Sequence, residues 1–208
     1  MDITALNPHA DIVAVTTDLV NIASVSGDEN LIASSIFAAL SDCGWLEVHR
    51  FQNSVIAKTN LNKASRVIVA GHIDTVPVAD NAKAKLVAAG EPLPSDGCVM
   101  TEDVLFGLGS CDMKGGVAVA LRAAASIQDP QFDVTYIFYE CEEIESARNG
   151  LTLIAAAHPE WLAADIAVLL EPSNANIEAG CQGTLRARIS TVGTRAHSAR
   201  AWLGENAI

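Results

Sequence analysis

The sequence has few of the features that mark membrane proteins, nucleic-acid-binding proteins or disulfide-stabilised domains. Lys and Arg number 13 against 25 Asp and Glu, and the net charge of −12 argues against non-specific binding to nucleic acid or an anionic membrane. The five cysteines are widely spaced and form no C-x-x-C pair, so neither a disulfide framework nor a thiolate zinc site is predicted. No apolar run approaches the roughly 20 residues of a membrane-spanning helix, and the acidic N-terminus is unlike a signal peptide. We therefore expect a cytoplasmic protein.

Hydrophobic residues make up 50% of the 208 residues, enough for a substantial core, and their spacing predicts an α/β fold. Ser26 and Glu29 form a predicted capping box at the start of the second helix. Three more predicted helices cover residues 12–22, 112–127 and 151–157, and the predicted strands are LEVHRF, SVIAKT, RVIVAGH, FDVTYIFYE and DIAVLLE. The expected architecture is a mixed sheet flanked by helices, with a long functional loop from Val78 to Thr101.

The pattern changes after Gly180. Leu185, Ala187 and Ile189 alternate with polar residues, which is typical of a half-exposed strand. We predict that residues 1–180 belong to a first domain and that residues 181–208 begin a second domain, since so short a segment cannot form its own core.

Acidic residues and a histidine follow the predicted strands where an α/β sheet forms its binding crevice. These candidates are His72 and Asp74 in GHIDTVP, Asp112 in GLGSCDMKGG, Glu140, Glu142 and Glu143 in ECEE, and Glu171 in LLEP. Each segment alone also fits an ordinary role: a hydrogen-bonded histidine, a helix N-cap, a solvated acidic loop or a surface glutamate. Together they supply the nitrogen and oxygen ligands of catalytic zinc, and a two-metal hydrolase is the leading hypothesis.

The segments GHIDTVP, GLGSCDMKGG, ECEE, LLEPS and GCQGTLRARISTVGTRAHSA, in this order, resemble the zinc-dependent amidohydrolases and exopeptidases, a family that includes desuccinylases, deacetylases and aminoacylases. The resemblance implies a zinc-exopeptidase-like catalytic domain followed by the start of an α+β lid or dimerisation domain. It also implies a homodimer formed through the lid, two Zn²⁺ ions per subunit of a complete chain, and Co²⁺ as a substitute.

The resemblance also assigns roles to individual residues. The metal ligands would be His72 and Glu171 on the first ion, Glu143 on the second, and Asp112 bridging both. Glu142 would be the general base, and Asp74 would orient His72. His197 would reach the site of the neighbouring subunit and stabilise the oxyanion. A cis peptide bond is expected after Asp112.

One ligand of the family's pattern has no match. It is a histidine near the C-terminus of a considerably longer chain, whereas this sequence ends at Ile208. His158, on a predicted surface turn, is a poor substitute. We therefore expect the 208-residue chain alone to be inactive and to hold at most one tightly bound divalent ion.

Within the family, ECEE and EAGCQGT look most like actinobacterial succinyl-diaminopimelate desuccinylases. The expected reaction is hydrolysis of N-succinyl-LL-2,6-diaminopimelate, a small N-acyl diamino acid, to succinate and LL-2,6-diaminopimelate in lysine biosynthesis. Deacetylation of N-acetylornithine, or action on a related N-acyl amino acid or dipeptide, is the alternative within the enzyme class. A non-catalytic metal-binding or dimerisation fragment is the alternative outside it.

Overall fold

The structure is a computed structural model that describes residues 4–174, 176–180 and 187–207. These residues belong to two units, Met1–Asn174 and Ala175–Ile208. No described helix combines the length and apolar character needed to cross a membrane.

A five-stranded mixed sheet forms the centre of the first unit. The strands of this unit are β1 (Glu47–Phe51), β2 (Ser54–Lys58), β3 (Arg66–His72), β4 (Lys85–Val87), β5 (Val104–Phe106), β6 (Asp133–Tyr139) and β7 (Ile166–Leu169). The order in the sheet is β1-β2-β6-β3-β7. The β1–β2 and β2–β6 pairs are antiparallel, whereas β3 is parallel to both β6 and β7. The predicted mixed sheet is thus confirmed.

Helices cover both faces of this sheet. They are α1 (Ile12–Asn21), α2 (Asn30–Ser41), α3 (Gly115–Ser126) and α4 (Gly150–Ala157). The first three pack with Tyr136 and Phe138 of β6 in the larger hydrophobic cluster, and α4 contributes Ile154 to the smaller one, beside Ile137 and Tyr139. Successive β6 side chains therefore enter opposite clusters, as the alternation of a strand requires, and the strand is buried throughout.

Two predicted helix starts are wrong. Glu29 is the residue before α2, but its side chain makes no capping hydrogen bond there, and the Ser26 hydroxyl bonds to Asp74 instead. The third predicted helix begins at Gly115 rather than Asp112, because Asp112 and Met113 have non-helical backbone angles and the peptide bond between them is cis. The cis bond that the resemblance implies is confirmed.

The segment predicted as a long loop is partly a strand. It contains β4, which pairs with β5 in a separate antiparallel ribbon, with Lys85 opposite Phe106. Only three residues pair on each side, so the hydrophobic pattern was too short to predict this ribbon.

In the second unit, Thr194 and Glu205 form an isolated antiparallel bridge around a short 3₁₀ helix at Ser198–Leu203. Nδ1 of His197 accepts a hydrogen bond from the Ala199 amide at the start of this helix. The predicted strand begins at Leu185, which lies outside the described residues, and residues 187–190 are not strand. A domain boundary at residue 180 stays a prediction.

Candidate metal centre

Three parallel strands end at one edge of the sheet and bring the predicted site segments together. His72, the last residue of β3, lies opposite Tyr139, the last residue of β6. On the other side of β3, the Leu170 amide after β7 donates to the carbonyl of Ala70. The segments carrying His72, Glu142 and Glu171 therefore leave the sheet at the same edge, as open α/β sheets require of a site built from several strands.

The imidazole of His72 is buried, with 1% of its surface exposed, and has acidic partners on both nitrogens. Nδ1 lies 3.1 Å from the backbone oxygen of Asp74, so Nδ1 carries the hydrogen, and it lies 3.4 Å from Oδ1 of the same residue. Nε2 lies 2.9 Å from Oδ1 of Asp112. Burial alone would lower the pKa of His72, but Asp74, Asp112 and Glu171 together raise it to about 9. The protonated imidazole carries a hydrogen on Nε2 as well, and a cation bound at Nε2 would replace that hydrogen.

Asp74 is completely buried and binds two different parts of the site. Besides facing His72, its carboxylate accepts hydrogen bonds from the Ser26 hydroxyl at 2.7 Å and from the Glu142 and Glu143 amides at 3.0 and 3.1 Å. Burial would raise the pKa of Asp74, but these donors and His72 lower it, which keeps the carboxylate ionised. Asp74 therefore connects the imidazole to the backbone of the ECEE segment.

The donor atoms of His72, Asp112 and Glu143 lie within 4.8 Å of one another. Burial raises the pKa of Glu143, and the negative charges of Asp112 and Glu142 raise it further. Carboxylates crowded in this way need a proton or a cation, and one imidazole with two carboxylates is a set that divalent metals bind. The residues present therefore fit a divalent metal ion.

Glu171 belongs to the same electrostatic environment. Burial raises its pKa, His72 lowers it, and the carboxylates of Asp112, Glu142 and Glu143 raise it again. Glu171, however, does not belong to the group formed by the donor atoms of His72, Asp112 and Glu143. Its role as a metal ligand stays a prediction.

Two further histidines were considered in the sequence analysis, His158 and His197. The ring of His158, at the end of α4, stacks on Trp161 with 3.9 Å between centroids, and Nδ1 lies 3.2 Å from Oε1 of Glu160. These contacts agree with the expectation that His158 is a poor substitute ligand. His197 belongs to the second unit, and its predicted catalytic role stays a prediction.

Sequence reasoning missed the roles of three polar residues near the site, of which Glu29 and Lys114 are buried and Ser26 is partly buried. Ser26 and Glu29 were interpreted as helix caps, although the useful signal was there: SGDE is a polar segment, and the structure buries Glu29 completely. Lys114 is also buried, and its ammonium donates to the carbonyl of Ile22 at 2.8 Å. Burial lowers the pKa of Lys114 to about 8. Nothing in the sequence around Lys114 distinguishes it from an exposed helix residue.

Known relatives share about half of the residues of this sequence. A succinyl-diaminopimelate desuccinylase of Corynebacterium glutamicum is 47% identical over 95% of this chain and 51% of its own length. A Mycobacterium tuberculosis protein that bears the same name provisionally is 48% identical over 98% of this chain and 54% of its own. The chain thus spans about half the length of these relatives.

A solved structure with low sequence identity to this chain has a similar fold. A tripeptidase from Staphylococcus aureus superimposes with a TM-score of 0.63 at 18% identity, over 97% of this chain and 54% of that one. Residues 68–198, which include His72, Asp112, Glu143 and Glu171, match the sequence profile of peptidase family M20/M25/M40. The profile covers more than half of this chain, and the Mycobacterium tuberculosis relative aligns with 98% of it. The chain therefore belongs to this family of hydrolases.

Proposed function

We propose that this chain forms the metal-binding part of a succinyl-diaminopimelate desuccinylase. The enzyme would hydrolyse the amide bond of N-succinyl-LL-2,6-diaminopimelate, releasing succinate and LL-2,6-diaminopimelate for lysine biosynthesis in the cytoplasm. The observation that carries the proposal is the 47% identity to a desuccinylase over nearly the whole chain. The clustered donor atoms of His72, Asp112 and Glu143 support the hydrolytic chemistry.

The proposed cofactor is a pair of Zn²⁺ ions, for which Co²⁺ can substitute. His72 and Glu171 would hold the first ion, Glu143 the second, and Asp112 both. When bound, such ions polarise the amide carbonyl and lower the pKa of water. Asp74 supports this arrangement because it keeps the hydrogen of His72 on Nδ1 and leaves Nε2 free to bind.

Glu142 is the proposed general base. Its backbone amide donates to Asp74 at 3.0 Å, which fixes the backbone from which the carboxylate extends. Glu142 would take a proton from the attacking water as the water oxygen bonds to the amide carbon. The C–N bond then breaks, and Glu142 passes the proton to the nitrogen of the departing amine. In the proposed homodimer, His197 would donate a hydrogen bond to the developing oxyanion in the neighbouring subunit.

Substrate preference tests the proposal. Full-length protein loaded with Zn²⁺ is assayed with N-succinyl-LL-2,6-diaminopimelate and with N-acetylornithine, and we expect a higher kcat/KM for the succinylated substrate. Glu142→Ala is the control for contaminating activity. A clear preference for N-acetylornithine would contradict the proposed substrate, and no turnover of either would contradict the reaction.

A further inference from the structure

The carboxylate of Glu29 is buried against the segment that carries Glu142 and Glu143. None of its surface is exposed. Oε1 accepts hydrogen bonds from the amide of Gly27 at 2.7 Å and from the amide of Cys141 at 3.3 Å. The Cys141 thiol, also 3.3 Å away, donates to the same oxygen. The side chain at the start of α2 therefore contacts a residue 112 positions further along the chain.

Three consecutive backbone amides of the ECEE segment are held by buried carboxylates. The amide of Cys141 donates to Glu29, and those of Glu142 and Glu143 donate to Asp74. Cys141 has a φ of 57°, in the left-handed region that residues other than glycine rarely occupy. The chain thus turns sharply one residue before Glu142, and Glu29 binds the amide at this turn.

The two carboxylates are themselves connected through one short segment. Ser26 donates to Asp74, and the amide of Gly27 donates to Glu29. The backbone amide of Ser26 also donates to the carbonyl of Thr75 at 3.1 Å. Displacing Glu29 would therefore disturb the backbone of the general base and of the metal ligand beside it.

Stability of α2 does not account for this glutamate. Glu29 makes no capping hydrogen bond to α2, and its second oxygen, Oε2, is buried with no hydrogen-bond partner among the described residues. A buried carboxylate oxygen without a partner destabilises a fold. Its hydrogen bonds from the Gly27 amide and from Cys141 of the ECEE segment are what distinguish Glu29 from an apolar residue at the same position.

We propose that Glu29 is a positioning residue of the hydrolytic site, acting through the backbone of Cys141 on the placement of Glu142 and Glu143. The inference rests on the proposed function for its catalytic consequence. What matters is the reach of the side chain to Cys141 rather than its charge, because the contact is made by an oxygen that accepts hydrogen bonds from backbone and thiol.

Two substitutions separate reach from charge. Glu29→Gln keeps the length and a carbonyl oxygen that accepts from Cys141, whereas Glu29→Asp keeps the charge and withdraws the carboxylate by one methylene. In full-length, metal-loaded protein we expect kcat to fall at least 10-fold in Glu29→Asp and less than threefold in Glu29→Gln, with KM within twofold in both. Ile36→Val, a buried substitution in α2, the helix that follows Glu29, is the control for general destabilisation. Activity of Glu29→Asp equal to or above that of Glu29→Gln would overturn the inference.

Hydrogen exchange tests the positioning without any substrate. In the metal-free 208-residue chain, the peptide containing residues 140–144 should exchange at least 10-fold faster in Glu29→Asp than in the wild type. Glu29→Gln and Ile36→Val should leave the exchange of this peptide unchanged. Equal exchange in Glu29→Asp and the wild type would refute the positioning even if the enzyme is a desuccinylase. Faster exchange in a protein without desuccinylase activity would support the positioning and contradict only the proposed function.

Discussion

The hydroxyl of Ser26 donates a 2.7 Å hydrogen bond to Oδ2 of Asp74, a carboxylate oxygen with no exposed surface. Ser26→Ala removes this donor, so that Oδ2 of Asp74 keeps the hydrogen bond from the Glu143 amide. We expect the free energy of unfolding to fall by about 1–3 kcal/mol, the usual loss for a hydrogen bond to a buried charged group. Urea denaturation measures this free energy of unfolding. Ser41→Ala, which removes only an exposed bond within α2, is the matched control and should change stability by less than about 0.5 kcal/mol.

The contact between Asp74 and His72 predicts an effect on metal affinity. Asp74→Asn weakens the contact between this side chain and Nδ1 of His72, and it removes a negative charge 3.4 Å from that nitrogen. We expect Zn²⁺ affinity to fall about 10- to 100-fold, as is usual when a carboxylate behind a ligating histidine is lost. Isothermal titration calorimetry measures the change. Equal affinities of variant and wild type would remove Asp74 from this role.

Glu142 and Glu143 are neighbours with different predicted tasks. In full-length protein, Glu142→Ala should abolish turnover and leave the metal content nearly intact, because a base is lost but no ligand. Glu143→Ala should lose both metal and turnover, because its carboxylate belongs to the group of donor atoms around His72. Elemental analysis of dialysed protein, beside the activity assay, distinguishes the two variants. The opposite pattern would exchange the two roles.

The metal content of this chain follows from its donor atoms. The group of His72, Asp112 and Glu143 contains one imidazole. The donors predicted for the second ion are Asp112 and Glu143. We expect the 208-residue chain to retain no more than one equivalent of Zn²⁺ after dialysis. Retention of two equivalents would show that a further residue, or a second chain, completes the second site.

Asp133 predicts how stability changes with pH. It is buried and accepts hydrogen bonds from the amides of Leu61 and Lys63 and from the hydroxyl of Thr59, at 2.8, 2.9 and 2.8 Å. Burial would raise its pKa, but these donors lower it below the ordinary value. The stabilisation is therefore fully present above about pH 4, the pKa of an unfolded aspartate, and is lost as the pH falls through the folded-state pKa.

Asp133→Asn should remove this dependence. Urea denaturation from pH 7 to pH 2.5 should show a difference between wild type and variant that is largest at neutral pH and shrinks below pH 4. Asp129→Asn, at an exposed carboxylate that accepts a hydrogen bond from the Lys63 ammonium, is the control and should follow the wild type closely. A constant difference across the range would mean that the charge of Asp133 is not what stabilises the fold.

The sheet and the carboxylates at its edge could be predicted because their signals are local. The run Val67-Ile68-Val69 marks a buried strand, and His72 follows it directly. Parallel strands then bring Glu142 and Glu171 to the same edge without further information.

The supporting contacts could not be predicted in this way. Ser26 and Glu29 have the spacing of a capping box, but their partners, Asp74 and Cys141, are 48 and 112 residues away. A local pattern cannot tell a hydroxyl that caps its own helix from one that binds a distant carboxylate. The start of α3 was misplaced for a related reason, since Asp112 is a favourable N-cap residue and only the folded chain shows its non-helical backbone.

The position of β6 in the sheet has a consequence for synthesis on the ribosome. β2 and β3 are consecutive in the chain, yet β6 lies between them in the sheet. Both strands therefore lack the neighbour they share until β6 has been synthesised. Roughly 60 residues separate His72 from Asp133, which at about 5–20 residues per second is several seconds of translation. During this interval both strands present open, apolar edges of the kind that pair with other chains. The nascent chain should therefore depend most on chaperones between the appearance of β3 and that of β6.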